Sequence, residues 1–213
     1  KRTGADINPV TATDGKTVWL VWQGWLDGSF NILAEKIALD HEVPPLVVSD
    51  APGNQWSPAA AVDSKGTLHV AYDTYENGSY DIKLASVSDG GLEMITVAGT
   101  PKFEARASVA IDKQDRVWVA YEEADANWGK DFGTKWTGKS GVPFYLDRRI
   151  AVRVVTGDRV QQPKGDIPSE GIDTLYPGGR RVRVSMPRLS SDGAGRMWLL
   201  FRRHPLATGV GEV

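Results

Sequence analysis

The stretch Pro58-Ala-Ala-Ala-Val-Asp63-Ser-Lys-Gly66-Thr-Leu68-His69-Val-Ala-Tyr72 is the clearest copy of a unit that recurs along the chain. Two runs rich in small and β-branched residues flank an Asp-x-x-Gly turn, which reads as a β-hairpin. The same pattern occurs three more times. Pro9-Val-Thr-Ala-Thr-Asp14 leads to Val18-Trp19-Leu-Val-Trp22, and Ala107-Ser-Val-Ala-Ile-Asp112 leads to Val117-Trp118-Val-Ala-Tyr121. Pro187-Arg-Leu-Ser-Ser-Asp192 leads to Met197-Trp198-Leu-Leu-Phe201. The four aspartates stand 49, 49 and 80 residues apart. A fixed period of this length marks a repeat architecture, in which no unit buries its apolar faces alone.

Further strands follow each hairpin. Asp27-Gly-Ser-Phe-Asn-Ile32 matches Asn77-Gly-Ser-Tyr-Asp-Ile82, and each opens a third strand, Ile32–Ile37 and Ile82–Val87. A fourth is expected at Leu46–Ser49 and Met94–Ala98. Asn77-Gly-Ser79 matches a glycosylation acceptor, but the same turn stands at Asp27, so a turn explains both. Four antiparallel strands per unit of about 49 residues predict an all-β chain folded as a β-propeller. Almost no helix is expected. In the third unit the third strand, Arg149–Val155, brings Ile150 32 residues after Trp118, where Ile32 and Ile82 follow Trp19 and His69 by 13. The expected boundaries are blade 1 at about 5–52, blade 2 at about 53–101, blade 3 at about 102–182 with an insertion at 124–147, and a half blade 4 at about 183–205. About three and a half blades are therefore present. Closed propellers have four or more blades. The open faces call for the rest of the same polypeptide, or for a second copy whose blades would bring the ring to seven.

At these residues the chain resembles bacterial propellers of the sialidase-like and NHL-like kind, with Pro-x-x-Ala-x-Asp-x-x-Gly-x-x-Trp-Val-Ala-Tyr blades. True sialidase turns have one residue between Asp and Gly, whereas Asp63…Gly66 and Asp192…Gly195 have two. The runs Trp118-Val-Ala-Tyr-Glu-Glu123, Asn127-Trp-Gly-Lys-Asp-Phe132 and Arg148-Arg-Ile-Ala-Val-Arg153 also resemble the propeller preceding a PHP-type metallohydrolase-like domain in exported bacterial proteins. The resemblance implies an exported setting, whether periplasmic, cell-surface or secreted. It also implies a chain that serves either as a binding or scaffold module, as part of a glycoside hydrolase or lyase, or as an accessory to a metal-dependent hydrolase.

Composition agrees with a folded domain: 24% of residues are charged, 41% hydrophobic, and the net charge is −2. Nothing in that balance points to nucleic acid, and no apolar run is long enough to span a bilayer. With no cysteine there is neither a disulfide framework nor a thiolate metal site. The chain begins at Lys1, for which a cleaved signal peptide or a trimmed terminus is the expectation.

The repeat also shows where a site would be built. Loops entering the first strand and leaving the second share the top face of a propeller. The columns there are Asn8, Ser57, Arg106 and Met186 before the strand, then Gln23, Asp73, Glu122 and Arg202 after it, followed by Gly24, Thr74, Glu123 and Arg203. These polar columns vary from blade to blade, unlike the aromatic column Trp22, Tyr72, Tyr121 and Phe201, which reads as core. The candidate ligand-binding residues are Asp73, Glu122, Glu123, Arg106, Arg202 and Arg203, with the aromatics Trp25, Tyr75 and Trp128 beside them. The carboxylates could serve glycosidic acid–base chemistry, could hold Ca²⁺, or could simply pair with the arginines. The ligand expected is a carbohydrate or a protein. No cofactor is implied beyond Ca²⁺, and no catalytic or metal-binding constellation stands out: His41, His69 and His204 are scattered, and no HExxH, GxSxG or phosphate loop is present. Asp14, Asp63, Asp112 and Asp192 read as turn residues.

Overall fold

The computed structural model describes residues 4–38, 44–49, 51–76, 78–124, 126, 148–164, 175–176, 180–181 and 183–204. The chain is a partial β-propeller, and no helix occurs among the described residues. Blade 1 comprises β1 (Asp6–Thr13), β2 (Val18–Leu26), β3 (Ser29–Ile37) and β4 (Leu46–Ser49). Blade 2 comprises β5 (Gln55–Val62), β6 (Leu68–Glu76), β7 (Ser79–Ser88) and β8 (Gly91–Ala98). In blade 3 the strands are β9 (Phe103–Ile111), β10 (Val117–Ala124), β11 (Arg149–Thr156) and a short β12 (Arg159–Gln161). Each of these sheets is a four-stranded antiparallel meander in chain order. A two-residue ribbon, β13 (Leu175–Tyr176) with β14 (Arg180–Arg181), precedes the hairpin β15 (Arg183–Ser191) and β16 (Met197–His204) of the half blade. The insertion between β10 and β11, with Trp128, lies almost wholly outside the described residues.

Strand alternation explains how blades stack. Successive side chains of a strand point to opposite faces. In β6, Leu68, Val70 and Tyr72 join Ala12, Val21, Ile32, Ala34 and Val48 of blade 1 in one apolar layer. Ala71, from the opposite face of the same strand, packs with Ile82, Leu84, Val109, Val117, Val119 and Tyr121 at the junction with blade 3. Both faces of blade 2 are therefore buried, which is why β6 reads as a continuous apolar run. The end faces are open: Trp198 and Leu200 on β16 remain 51% and 60% exposed, and Val18 on β2 remains 43% exposed.

The Asp turns are small hydrogen-bonded structures. Asp112 Oδ1 accepts the N–H groups of Gln114 and Arg116, while Oδ2 accepts the indole N–H of Trp118 at 2.7 Å. Asp192 repeats this set with Ala194, Arg196 and Trp198. In blade 2 a histidine replaces the indole, with His69 Nε2 at 3.3 Å from Asp63 Oδ2. Gly66 and Gly195 turn through φ +85 and +83, and Asp115 takes the same role at φ 56. Its carboxylate also accepts the N–H and hydroxyl of Ser64 from blade 2, tying neighbouring turns together.

Blade 1 departs for a geometric reason. Its turn is one residue shorter, so Trp19 follows Asp14 by five positions where the other blades have six. Asp14 Oδ1 accepts Lys16 and Thr17 N–H instead, and the buried Trp19 Nε1 has no partner among the described residues. Replacing Asp112 by alanine removes two amide bonds and orphans the Trp118 indole. It is expected to cost about 1–3 kcal/mol, read from the urea midpoint at unchanged m-value, and more than Asp14→Ala costs.

Candidate functional site

Every inner strand breaks its register at one place, near its start. Asn8, Ser57, Arg106 and Met186 sit there with φ of 52, 53, 59 and 54, in the left-handed region. The registers slip between Ile7 and Val10, Trp56 and Ala59, Ala105 and Ser108, and Ser185 and Arg188, as β-bulges. A non-glycine residue pays about 1–2 kcal/mol for this conformation. The twist turns its N–H out of its own sheet and toward the preceding blade. Ser57 N donates to Gln23 Oε1 at 2.9 Å, Arg106 N to Asp73 Oδ1 at 2.7 Å, and Met186 N to Glu122 Oε1 at 2.8 Å. The two polar columns of the sequence are thus donor and acceptor of one bond repeated at each junction. A bond to a neutral acceptor contributes about 0.5–1.5 kcal/mol and one to a charged acceptor about 1.5–3 kcal/mol, the same order as the strain.

Asp73 and Glu122 are consequently buried, at 3% and 0% exposure. Burial pushes the Asp73 carboxyl up to about 7, although the N–H groups of Arg106 and Ala107, the Ser57 hydroxyl and the Arg106 charge all pull the other way. Glu122 Oε2 is gripped by Arg106 Nη1 at 2.9 Å and Arg148 Nη1 at 3.1 Å. Beside it Glu123 Oε1 takes Arg149 Nε at 2.5 Å and Lys102 Nζ at 3.2 Å. Two buried carboxylates therefore hold four cations. Of these, Arg106, Lys102 and Arg149 keep 42%, 39% and 36% of their side chains in solvent.

The structure brings Asp73, Arg106, Glu122 and Glu123 together at the bulge end of the blades. Arg202 and Arg203 pair across the hairpin with Ser185 and Val184 at that same end, and both are exposed. Neither meets a carboxylate within salt-bridge distance among the described residues. Trp25 and Tyr75 stand on equivalent hairpin ends, each edge-on to a cross-strand aromatic: Trp25 on Phe30 at 5.1 Å, Tyr75 on Tyr80 at 5.0 Å. Tyr80 also contacts Trp56 and Phe103, so blade 2 carries the larger aromatic group.

Sequence reasoning named the columns but missed Lys102, Arg148 and Arg149 as their ionic partners. The signal was the uneven charge along the chain. Residues 148–204 hold twelve Lys and Arg against five Asp and Glu, whereas residues 1–147 hold thirteen against twenty-one.

At the opposite end of blade 2 lies a second polar chain. His69 Nδ1 is 2.9 Å from Ser86 Oγ, and His69 Nε2 faces Asp63. The residue types are those of a charge-relay triad. The remaining Asp63 oxygen, however, is occupied by Lys65 and Thr67 N–H, and the imidazole stands where other blades place an indole N–H. The arrangement anchors a turn.

No family model and no curated protein sequence matches the chain. Solved structures do match it. A thermostable family-43 glycoside hydrolase aligns over 93% of this chain and 66% of its own length, with a TM-score of 0.52 at 12% identity. A protein of unknown function from Dyadobacter fermentans DSM 18053 aligns over 97% of this chain and 64% of its own, with a TM-score of 0.56 at 10% identity. The chain thus spans less than two thirds of either structure, and the likeness is one of fold.

Asp73→Asn tests the junction. Gln23 shows that a neutral amide serves as acceptor, so the variant is expected to keep the fold. In the wild type the folded carboxyl holds its proton up to about pH 7, while the unfolded one releases it near its ordinary 3.8. The contribution of Asp73 to stability therefore falls as pH rises through that window and levels above it. In urea titrations at steps from pH 4 to 8, the stability of the wild type relative to Asp73→Asn should fall with rising pH. Asp73→Leu, which leaves the Arg106 N–H without an acceptor, should lose about 1–3 kcal/mol at every pH.

Proposed function

We propose that the chain is a ligand-binding propeller module of an exported protein and that its top face binds carbohydrate. One observation carries this reading: the buried carboxylates at the bulge end are committed to joining blades, while the groups turned to solvent are aromatic rings and cation heads. Tyr75 and Trp25 stay about two-fifths exposed although each has an aromatic partner, and both stand next to the turn of their hairpins, β6–β7 and β2–β3. Exposed rings beside fixed hydrogen-bond donors suit the faces and hydroxyls of sugars. An Asp with a carboxyl near 7 has the protonation behaviour of a glycosidic acid. Asp73, however, is shut away from solvent and its oxygens are in use, so the geometry favours binding over hydrolysis. The fold likeness to a family-43 glycoside hydrolase is compatible with the second reading, in which the chain is part of a hydrolase. The same proposal assigns the open faces of blades 1 and 4 to further β-structure, from the same polypeptide or a second copy.

Binding is expected to depend on the rings. Affinity electrophoresis through gels containing soluble polysaccharides should retard the wild type, and Tyr75→Ala with Trp25→Ala should weaken retardation by about tenfold or more, corresponding to about 1.4 kcal/mol. Unchanged mobility in every gel, from a chain with intact far-UV circular dichroism, defeats the reading.

A further inference from the structure

Within the reading of a carbohydrate-binding top face, we infer that the ligand is a polysaccharide carrying carboxylate or sulfate groups, and that it runs over the rim of blades 3 and 4. The cations there are of two kinds. Lys102, Arg106 and Arg149 are positioned by Glu122 and Glu123, which fixes where their heads stand. Arg202 and Arg203 are exposed and have no carboxylate partner among the described residues. The two groups adjoin. Val184, the register partner of Arg203, donates its N–H to Arg148 O at 3.2 Å, which joins the start of β15 to the start of β11. The described carboxylates of this rim, Glu104, Glu122 and Glu123, are buried, so the face it turns to solvent is cationic.

Five cation heads spread over three strand ends match an anion repeated along a chain better than one anion at a point. Arginine's planar fork suits carboxylate and sulfate oxygens. The rest of the molecule limits the ligand further. Residues 1–147 carry eight more acidic than basic groups, against seven more basic than acidic over 148–204. A nucleic-acid duplex, with one phosphate per ~1.7 Å of axis, would press its charge against that acidic flank. A saccharide with one charge per sugar or per disaccharide places fewer charges there. The exposed rings of Tyr75 and Trp25 on blades 2 and 1 then stack on sugar faces further along the chain.

The probes are polygalacturonate, heparin, neutral xylan and a DNA duplex, titrated calorimetrically against the full chain at 50 and 300 mM NaCl. The expected result is binding to polygalacturonate or heparin that weakens with salt. It should fall at least about tenfold in the double charge reversal Arg202→Glu/Arg203→Glu. These side chains are exposed, and an unchanged thermal melt verifies the fold. A preference between polygalacturonate and heparin separates carboxylate from sulfate as the anion. Binding to xylan alone, indifferent to salt and to charge reversal, overturns this inference and leaves the carbohydrate reading standing. Tighter binding to DNA than to either acidic polysaccharide also overturns it. No binding to any probe by a folded chain overturns both.

Discussion

The structure depends on a hydrogen bond that no single blade can make for itself. A bulge residue in the left-handed region points its N–H at the preceding blade, and a side chain at the end of that blade's second strand accepts it. The strain and the bond come as a pair. Without an acceptor, a left-handed Met186 or Arg106 would carry both the conformational cost and an unsatisfied buried donor. With one, the two costs are offset, and the angle between blades is set by a directional contact as well as by apolar packing. Hydrophobic layers alone, such as Leu68, Val70 and Tyr72 against blade 1, would tolerate small rotations.

Three acceptors do this work with different chemistry. Gln23 is neutral and also takes the Asn8 side-chain amide. Asp73 is buried among donors and still carries a raised pKa, because burial outweighs them. Glu122 is paired with Arg106 and Arg148. At Glu122 and Glu123 the buried carboxylates hold guanidinium groups at the same place, and these long side chains leave their heads in water. A structural requirement at the junction thereby creates a cationic surface above it.

Much of this was legible in the sequence, and the reason is the repeat. Asp14, Asp63, Asp112 and Asp192 mark equivalent turns that fix the repeat, the segments between them supply the strands, and the columns align because side chains alternate with period two. What could not be read was the partner of each column. Column alignment compares equivalent positions in successive blades, whereas the bond joins non-equivalent ones: the acceptor column of one blade to the bulge column of the next. Left-handed geometry at Arg106 or Met186 has no compositional mark, unlike a glycine turn, so the bulge was invisible. The pairing of the carboxylates with arginine was expected, but the arginines differ. Arg106 does pair with Glu122, whereas Arg202 and Arg203 do not, and their place is taken by Arg148 and Arg149 after a long insertion that local reading did not connect to Glu122.

Arg202 is where the pattern changes, and its chemistry states how. It stands in the acceptor column, on the face of β16 that also bears Trp198 and Leu200. A guanidinium has five donors and no acceptor. It cannot receive the N–H of a left-handed bulge, so the bond that unites blades 1 to 4 is not repeated on the outward face of blade 4. The same reversal that breaks the chain of junction bonds leaves a cation exposed at the rim. The missing junction acceptor and the exposed cation are therefore one feature, produced by a single change of side chain in one column.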